Sequence, residues 1–174
     1  MLKMSLNEIR GKIQVYPESW INMKTTNCYA FALGLDIRES SICSGAYQPG
    51  TMSGKKELEV SNRQFLYNDL IKCIEEDLNN LGILYREIDT MDKVELNEWK
   101  MALLVETNHE CDDNYLSGFH FLRTNKKGNW VHKMDYYSSP SKKDDFGQVI
   151  KDPKESDFYF YEYKKCYALR LNNK

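Results

Sequence analysis

The sequence predicts an α+β domain, with N-terminal helices packed on an antiparallel β-sheet, and two patterns carry that prediction. Leu66, Leu70, Cys73, Ile74, Leu78 and Leu81 recur at three- and four-residue intervals, the repeat of one helical face. After them come short runs of aromatic and β-branched residues bounded by polar turns, which read as strands joined by hairpins. Helices first and strands afterwards is the order expected when helices are segregated from the sheet.

Taken in order, the first element is a short helix opening near Cys28 in TTNCYAFALG. Thr26 or Asn27 is its N-cap and Gly34 its stop, so Cys28, Phe31, Ala32 and Leu35 share one face. A Ser- and Gly-rich loop covers 40–57, with a turn at Pro49-Gly50, and is long enough to be functional. The second helix begins at Ser61 and ends at Gly82. Strands are expected over 83–88, 100–107, 118–124, 129–135 and 157–171, with a polar stretch over 138–156 crossing the surface. There is no internal repeat, and residues 1–174 read as one domain.

The totals narrow the function classes. Five cysteines, an odd number at irregular spacing, resemble neither a disulfide framework nor a CxxC zinc site, so the chain reads as belonging to a reducing compartment. Charge is balanced, 24 basic against 26 acidic residues without a basic stripe, which argues against nucleic acid as partner. No run approaches the roughly 18 apolar residues of a membrane span, and the first fifteen residues lack the apolar stretch of a secretory signal. The expected location is the cytoplasm as synthesised, with any delivery outside requiring another route. His109 and Cys111 form an HxC beside Asp112 and Asp113, but no second ligand pair accompanies it, so neither a metal nor another cofactor is expected.

Two readings of Cys28 follow from its position. Cysteine is among the most buried residue types and often merely fills a core. A thiol at a helix N-terminus, however, is where a low pKa and nucleophilicity arise. Cys73 and Cys166 lie on apolar elements and read as core, while Cys43 sits in the loop with no adjacent base.

Two of the three histidines lie in GFHFLRTNKKGNWVHKMD, a hairpin whose Gly128 supplies a positive φ in the turn. Symmetry about Lys126 sets His120 opposite His132, on one face with Cβ atoms about 4.5–5.5 Å apart. A bulge in the turn would instead send the rings to opposite faces. Asp135 points away from His132 unless the strand ends early, which makes it the alternative third member. A thiol, a histidine to take its proton and a polar group to orient that histidine form a coherent nucleophilic set.

These residues, in this order, resemble the papain-like superfamily of cysteine hydrolases, most closely the NlpC-type peptidases. Asn27-Cys28-Tyr29-Ala30-Phe31 is similar to the motif around that family's nucleophile, and His120 to His132 is similar to its histidine-strand-turn-strand-histidine segment. The resemblance covers about a third of the chain, and it departs where tyrosine-alanine replaces the serine-glycine after the cysteine and where a long helix separates cysteine from histidine. It implies a papain-like fold with Cys28 as nucleophile, His120 as base and His132 as orienting residue. It also implies an oxyanion hole from the Cys28 backbone N–H and a side-chain donor, Asn22 or Tyr16, although Asn22 also reads as a plain turn residue.

The function so implied is hydrolysis of an amide or isopeptide bond through a thioester. The substrate is a peptide or protein, with a peptidoglycan stem peptide as one candidate, and the 40–57 and 108–117 loops wall the groove. Two alternatives stand beside it: a transglutaminase- or deamidase-type acyl transferase on the same triad, and a non-catalytic binding or inhibitory protein of bacterial or phage origin.

Overall fold

The computed structural model describes residues 5–16, 26–35, 47–53, 65–107, 115–135 and 138–172. Along the chain these form α1 (Leu6–Arg10), α2 (Cys28–Leu33), β1 (Phe65–Leu66), α3 (Tyr67–Leu81), β2 (Ile83–Glu87), β3 (Glu98–Thr107), β4 (Tyr115–Thr124), β5 (Trp130–His132) and β6 (Glu162–Leu171). The architecture is α+β. Every strand pairing is antiparallel, in the order β1-β4-β3-β6-β2, with β5 attached to β4.

Side-chain alternation divides the sheet into two faces. On one, Trp99, Met101, Leu103, Phe121, Tyr167 and Leu169 pack against Leu33 of α2 and Leu70, Ile74 and Leu78 of α3. On the other, Ala102, Leu104, Leu122, Cys166 and Ala168 are covered by Ile88, Trp130, Ile150 and Phe158. The helices thus lie on one face, as the element order predicts. The expectation of sequential hairpins fails at β2, because β6 inserts between β2 and β3. Residues 101–105 of β3 are buried on both faces, and a strand of that kind takes a central place with a partner on each side.

Local signals account for most element boundaries. Asn27 caps α2, its Oδ1 accepting from the Ala30 N–H at 2.9 Å. Gly34 ends that helix with φ 73°, and an added Cβ would run into the Gln14 carbonyl, so no other residue fits. α1, which hydrophobic spacing does not announce, is bounded by a capping box readable in Ser5-Leu6-Asn7-Glu8: the Glu8 N–H donates to Ser5 Oγ at 3.3 Å and the Ser5 N–H to Glu8 Oε2 at 2.7 Å. The second helix starts at Tyr67 rather than 61, because Phe65 and Leu66 pair with Leu116 and Tyr115 of β4. The last strand starts at Glu162 rather than 157, because the Tyr161 N–H donates to the Phe158 carbonyl at 3.0 Å and closes a turn.

One buried carboxylate joins the helical layer together. Asp77 of α3, fully buried, accepts from the Tyr29 hydroxyl at 3.1 Å, the Gly50 N–H at 2.7 Å, and the Ser53 N–H and hydroxyl at 2.9 and 2.8 Å. Burial pushes its pKa up to about 6 against the pull of those donors, so it is ionised at neutral pH. Asp77→Asn is expected to cost about 1–3 kcal/mol at pH near 7.5, since whichever way the amide turns its NH2 faces the Gly50 or the Ser53 backbone N–H, which can only donate. Urea unfolding checks this, and an unchanged midpoint would contradict it. Among the described residues no helix is long and apolar enough to cross a membrane.

Candidate active site

Cys28 is the first residue of α2 and is half-buried. It lies along the edge of β4. The Asn125 N–H donates to the Asn129 carbonyl at 2.9 Å, so the backbones of Asn125, Arg123 and Phe121 turn toward the β5 side of β4. β5 ends where His132 pairs with Leu122, leaving the Phe121 N–H beyond the last rung. The Cys28 sulfur takes that place, faced by the backbone N–H groups of Phe121, of Tyr29 and of Cys28 itself. The thiol therefore sits against the residue that directly follows His120.

The hairpin register differs from the symmetric expectation by two residues. His132 pairs with Leu122 rather than His120, and Gly128 has the positive φ, 76°, that the turn needs. A shift of two preserves the face, so His120 and His132 become diagonal neighbours, whose Cβ atoms lie roughly 7–8 Å apart and whose long side chains still meet. Their rings stand perpendicular, with His120 Nε2 2.9 Å from His132 Nδ1.

The next contact fixes both tautomers. His132 Nε2 lies 2.7 Å from the carbonyl oxygen of Lys143, which can only accept, so Nε2 carries the hydrogen. Burial pushes His120 down to about 3 and lowers His132 as well, which keeps both rings neutral near pH 7. Neutral His132 then has a bare Nδ1 that accepts from His120 Nε2–H, and neutral His120 is left with a bare Nδ1. The chain from Lys143 O through His132 to His120 thus defines a base nitrogen with one orientation.

The Lys143 carbonyl comes from the 138–156 stretch, expected to cross the surface. It docks on β5 instead: Ser141 and His132 exchange two backbone hydrogen bonds at 2.9 and 2.8 Å. From the turn before β6, the Phe158 ring lies 5.9 Å from His120 and 5.3 Å from His132, and the Tyr161 ring 5.7 Å from His120. Tyr161 also interacts electrostatically with Cys28. Together these rings close the histidine pair off from water.

The remaining candidates fare differently. Tyr16 donates its hydroxyl to the Glu98 carbonyl at 2.5 Å. Glu98 is six residues along β3 from Leu104, the partner of His120, or about 20 Å at strand rise, so the Tyr16 hydroxyl is engaged at the far end of β3 from His120. Asp135 lies in a turn beyond β5, which ends before it, and its carboxylate accepts from the Ser138 N–H at 2.7 Å. Asn22, Cys43, His109 and Cys111 lie outside the described residues, as do most of the two loops expected to wall the groove. Among the described residues no three His, Cys, Asp or Glu side chains are grouped to hold a metal ion. Cys73 and Cys166 are buried in the two cores. The chain matches no family model, no curated protein and no solved structure.

Burial rather than the short helix governs the thiol. Desolvation pushes Cys28 up to about 11, against the opposing pull of the surrounding N–H groups and of Lys133. With the folded pKa raised, the protonated thiol prevails at neutral pH, and the thiolate fraction grows about tenfold per pH unit up to that value. Iodoacetamide labelling of Cys28 is expected to climb steadily from pH about 7 to 10. A rate already on a plateau at pH about 6 would show a resting thiolate instead.

Proposed function

We propose that this protein is a cysteine hydrolase of papain-like, NlpC-type architecture that cleaves an amide or isopeptide bond in a peptide or protein. The observation that carries this reading is the Lys143 carbonyl–His132–His120 chain, which leaves an unprotonated, oriented nitrogen on the residue next to the one Cys28 abuts.

His120 Nδ1 takes the thiol proton as the sulfur attacks the substrate carbonyl carbon. The Cys28 backbone N–H stabilises the resulting oxyanion. As the tetrahedral intermediate collapses, the C–N bond breaks, the amine leaves with the proton from His120, and a thioester on Cys28 remains. Water then attacks that thioester, giving its proton to His120, and releases the carboxylic acid and free thiol. The resting state is a neutral thiol beside a neutral imidazole, so proton transfer accompanies attack rather than preceding it.

The test is incubation with a peptide-amide library and with peptidoglycan stem peptides, reading new amino termini and a substrate-derived mass on Cys28. New termini that vanish in Cys28→Ala support the reading. Cleavage unaffected by that substitution, or no acylation of Cys28 by any member, would overturn it. An added amine acceptor separates hydrolysis from acyl transfer.

A further inference from the structure

Lys133 is fully buried, an uncommon state for lysine, and immediately follows His132. Its place follows from its neighbours. Val131 of β5 packs on Phe31 of α2, and two residues further along an extended chain the side chain returns to that same face. Phe31 in turn is three residues after Cys28 on one side of α2. Moving forward along the β5 chain and back along the helix brings the Lys133 stem to the start of α2. The ammonium and the thiol accordingly interact, each favouring the charged form of the other.

We propose that Lys133 is the electrostatic positioning residue of this site, its ammonium holding the negative charge that the Cys28 sulfur acquires when its proton leaves for His120. This rests on the reading of Cys28 as nucleophile and adds a residue to it. The groups facing the sulfur are the Phe121 N–H from β4, Lys133 from the chain after β5, and Tyr161 from the turn before β6. Those facing Lys133 include Asp135 and Cys28, and those facing Tyr161 include Glu106 and Asp145. In papain-like chemistry the charge opposite a thiolate resides on imidazolium. Here both rings are neutral at rest, and as the proton passes to His120 Lys133 adds positive potential beside the sulfur.

Alkylation of Cys28, followed by mass spectrometry, tests this without any substrate. In the native protein at pH about 8.5, the ratio of iodoacetate to iodoacetamide rates is expected to exceed that of free cysteine, because a cation beside sulfur attracts the anionic reagent. Lys133→Met is expected to slow iodoacetamide labelling about tenfold at fixed pH and move its profile up by about one unit, while Lys133→Arg stays within about threefold of wild type. A native reagent ratio at or below that of free cysteine overturns the proposal, as does a Lys133→Met profile that superimposes on the wild-type one. Thermal melts report whether Lys133→Met folds; should it not, the native ratio decides alone. Loss of substrate cleavage in Cys28→Ala, measured separately, reports on the hydrolase reading and leaves this comparison intact.

Discussion

Replacing His120 by alanine is expected to lower kcat/KM by roughly 10²–10⁴, the range a positioned general base contributes. The thiol is protonated at neutral pH, with burial holding it up to about 11, so among the described residues His120 is the base the proposed reaction uses to accept its proton as attack begins. Folding should survive, because the ring contributes one hydrogen bond, to His132 at 2.9 Å, and aromatic contacts at the sheet edge. His132 variants sharpen the expectation. His132→Ala leaves His120 free to take either tautomer and is expected to cost on the order of 10²–10³. His132→Gln retains more activity than His132→Ala, because a carboxamide can accept from His120 with its oxygen and donate to the Lys143 carbonyl with its nitrogen. The measurement is kcat/KM for each variant on the substrate found by library screening, beside thermal melts. Activity of His120→Ala within tenfold of wild type would remove His120 from the mechanism.

Arg123→Met is expected to destabilise the fold by about 1–3 kcal/mol. Arg123 is fully buried, yet its guanidinium sits where the chain needs donors. It donates to the carbonyls of Val15, of Phe31 at 3.4 Å and of Ala32 at 3.5 Å, and its Nε to its neighbour Thr124 at 3.3 Å. Phe31 and Ala32 lie in the last turn of α2, where a cation is favoured; the Phe31 carbonyl also accepts from the Gly34 N–H and the Ala32 carbonyl from Trp99 Nε1–H, each at 3.0 Å. The guanidinium also lies over the Trp99 ring, 5.3 Å from its centroid, and burial lowers its pKa only to about 9, so it stays charged at neutral pH. Methionine would fill the volume but remove the donor to the Val15 carbonyl and the second donor to those of Phe31 and Ala32. Arg123→Lys is expected to recover part of the loss, since one ammonium cannot span the same fork. Urea unfolding of the three proteins provides the comparison, and a Met variant within about 1 kcal/mol of wild type would show that the carbonyls find other donors.

Both predictions concern β4, and they separate what the hairpin does chemically from what it does mechanically. His120 and Arg123 are three residues apart on the strand and therefore project to opposite faces. Arg123 ties the helical face to the end of α2, while His120 belongs to the face covered by Phe158 and Tyr161. The strand that carries His120 thus also anchors the helix that carries the thiol. An Arg123 variant is expected to lose activity through α2 even where it folds, with the loss appearing at lower denaturant than global unfolding.

By itself the sequence determined what depends on near neighbours. Asn27 and Gly34 bracket α2 because a capping side chain and a left-handed glycine act within one helical turn. The apolar stripe from Leu70 to Leu81 marks α3, Gly128 sets the hairpin turn, and the parity of the strands puts both histidines on one face. The Ser5–Glu8 capping box was equally local and would have marked α1. Only the tertiary structure decided the two-residue register of β5, the place of β6 between β2 and β3, and the docking of the 138–156 stretch that brings the Lys143 carbonyl to His132. It also decided that Tyr16 belongs to Glu98 and that Lys133 is buried beside α2. Caps and periodicity are set by residues a few positions apart, whereas backbone acceptors, burial and the pKa values that follow from it depend on which distant segments pack together, which no local pattern records.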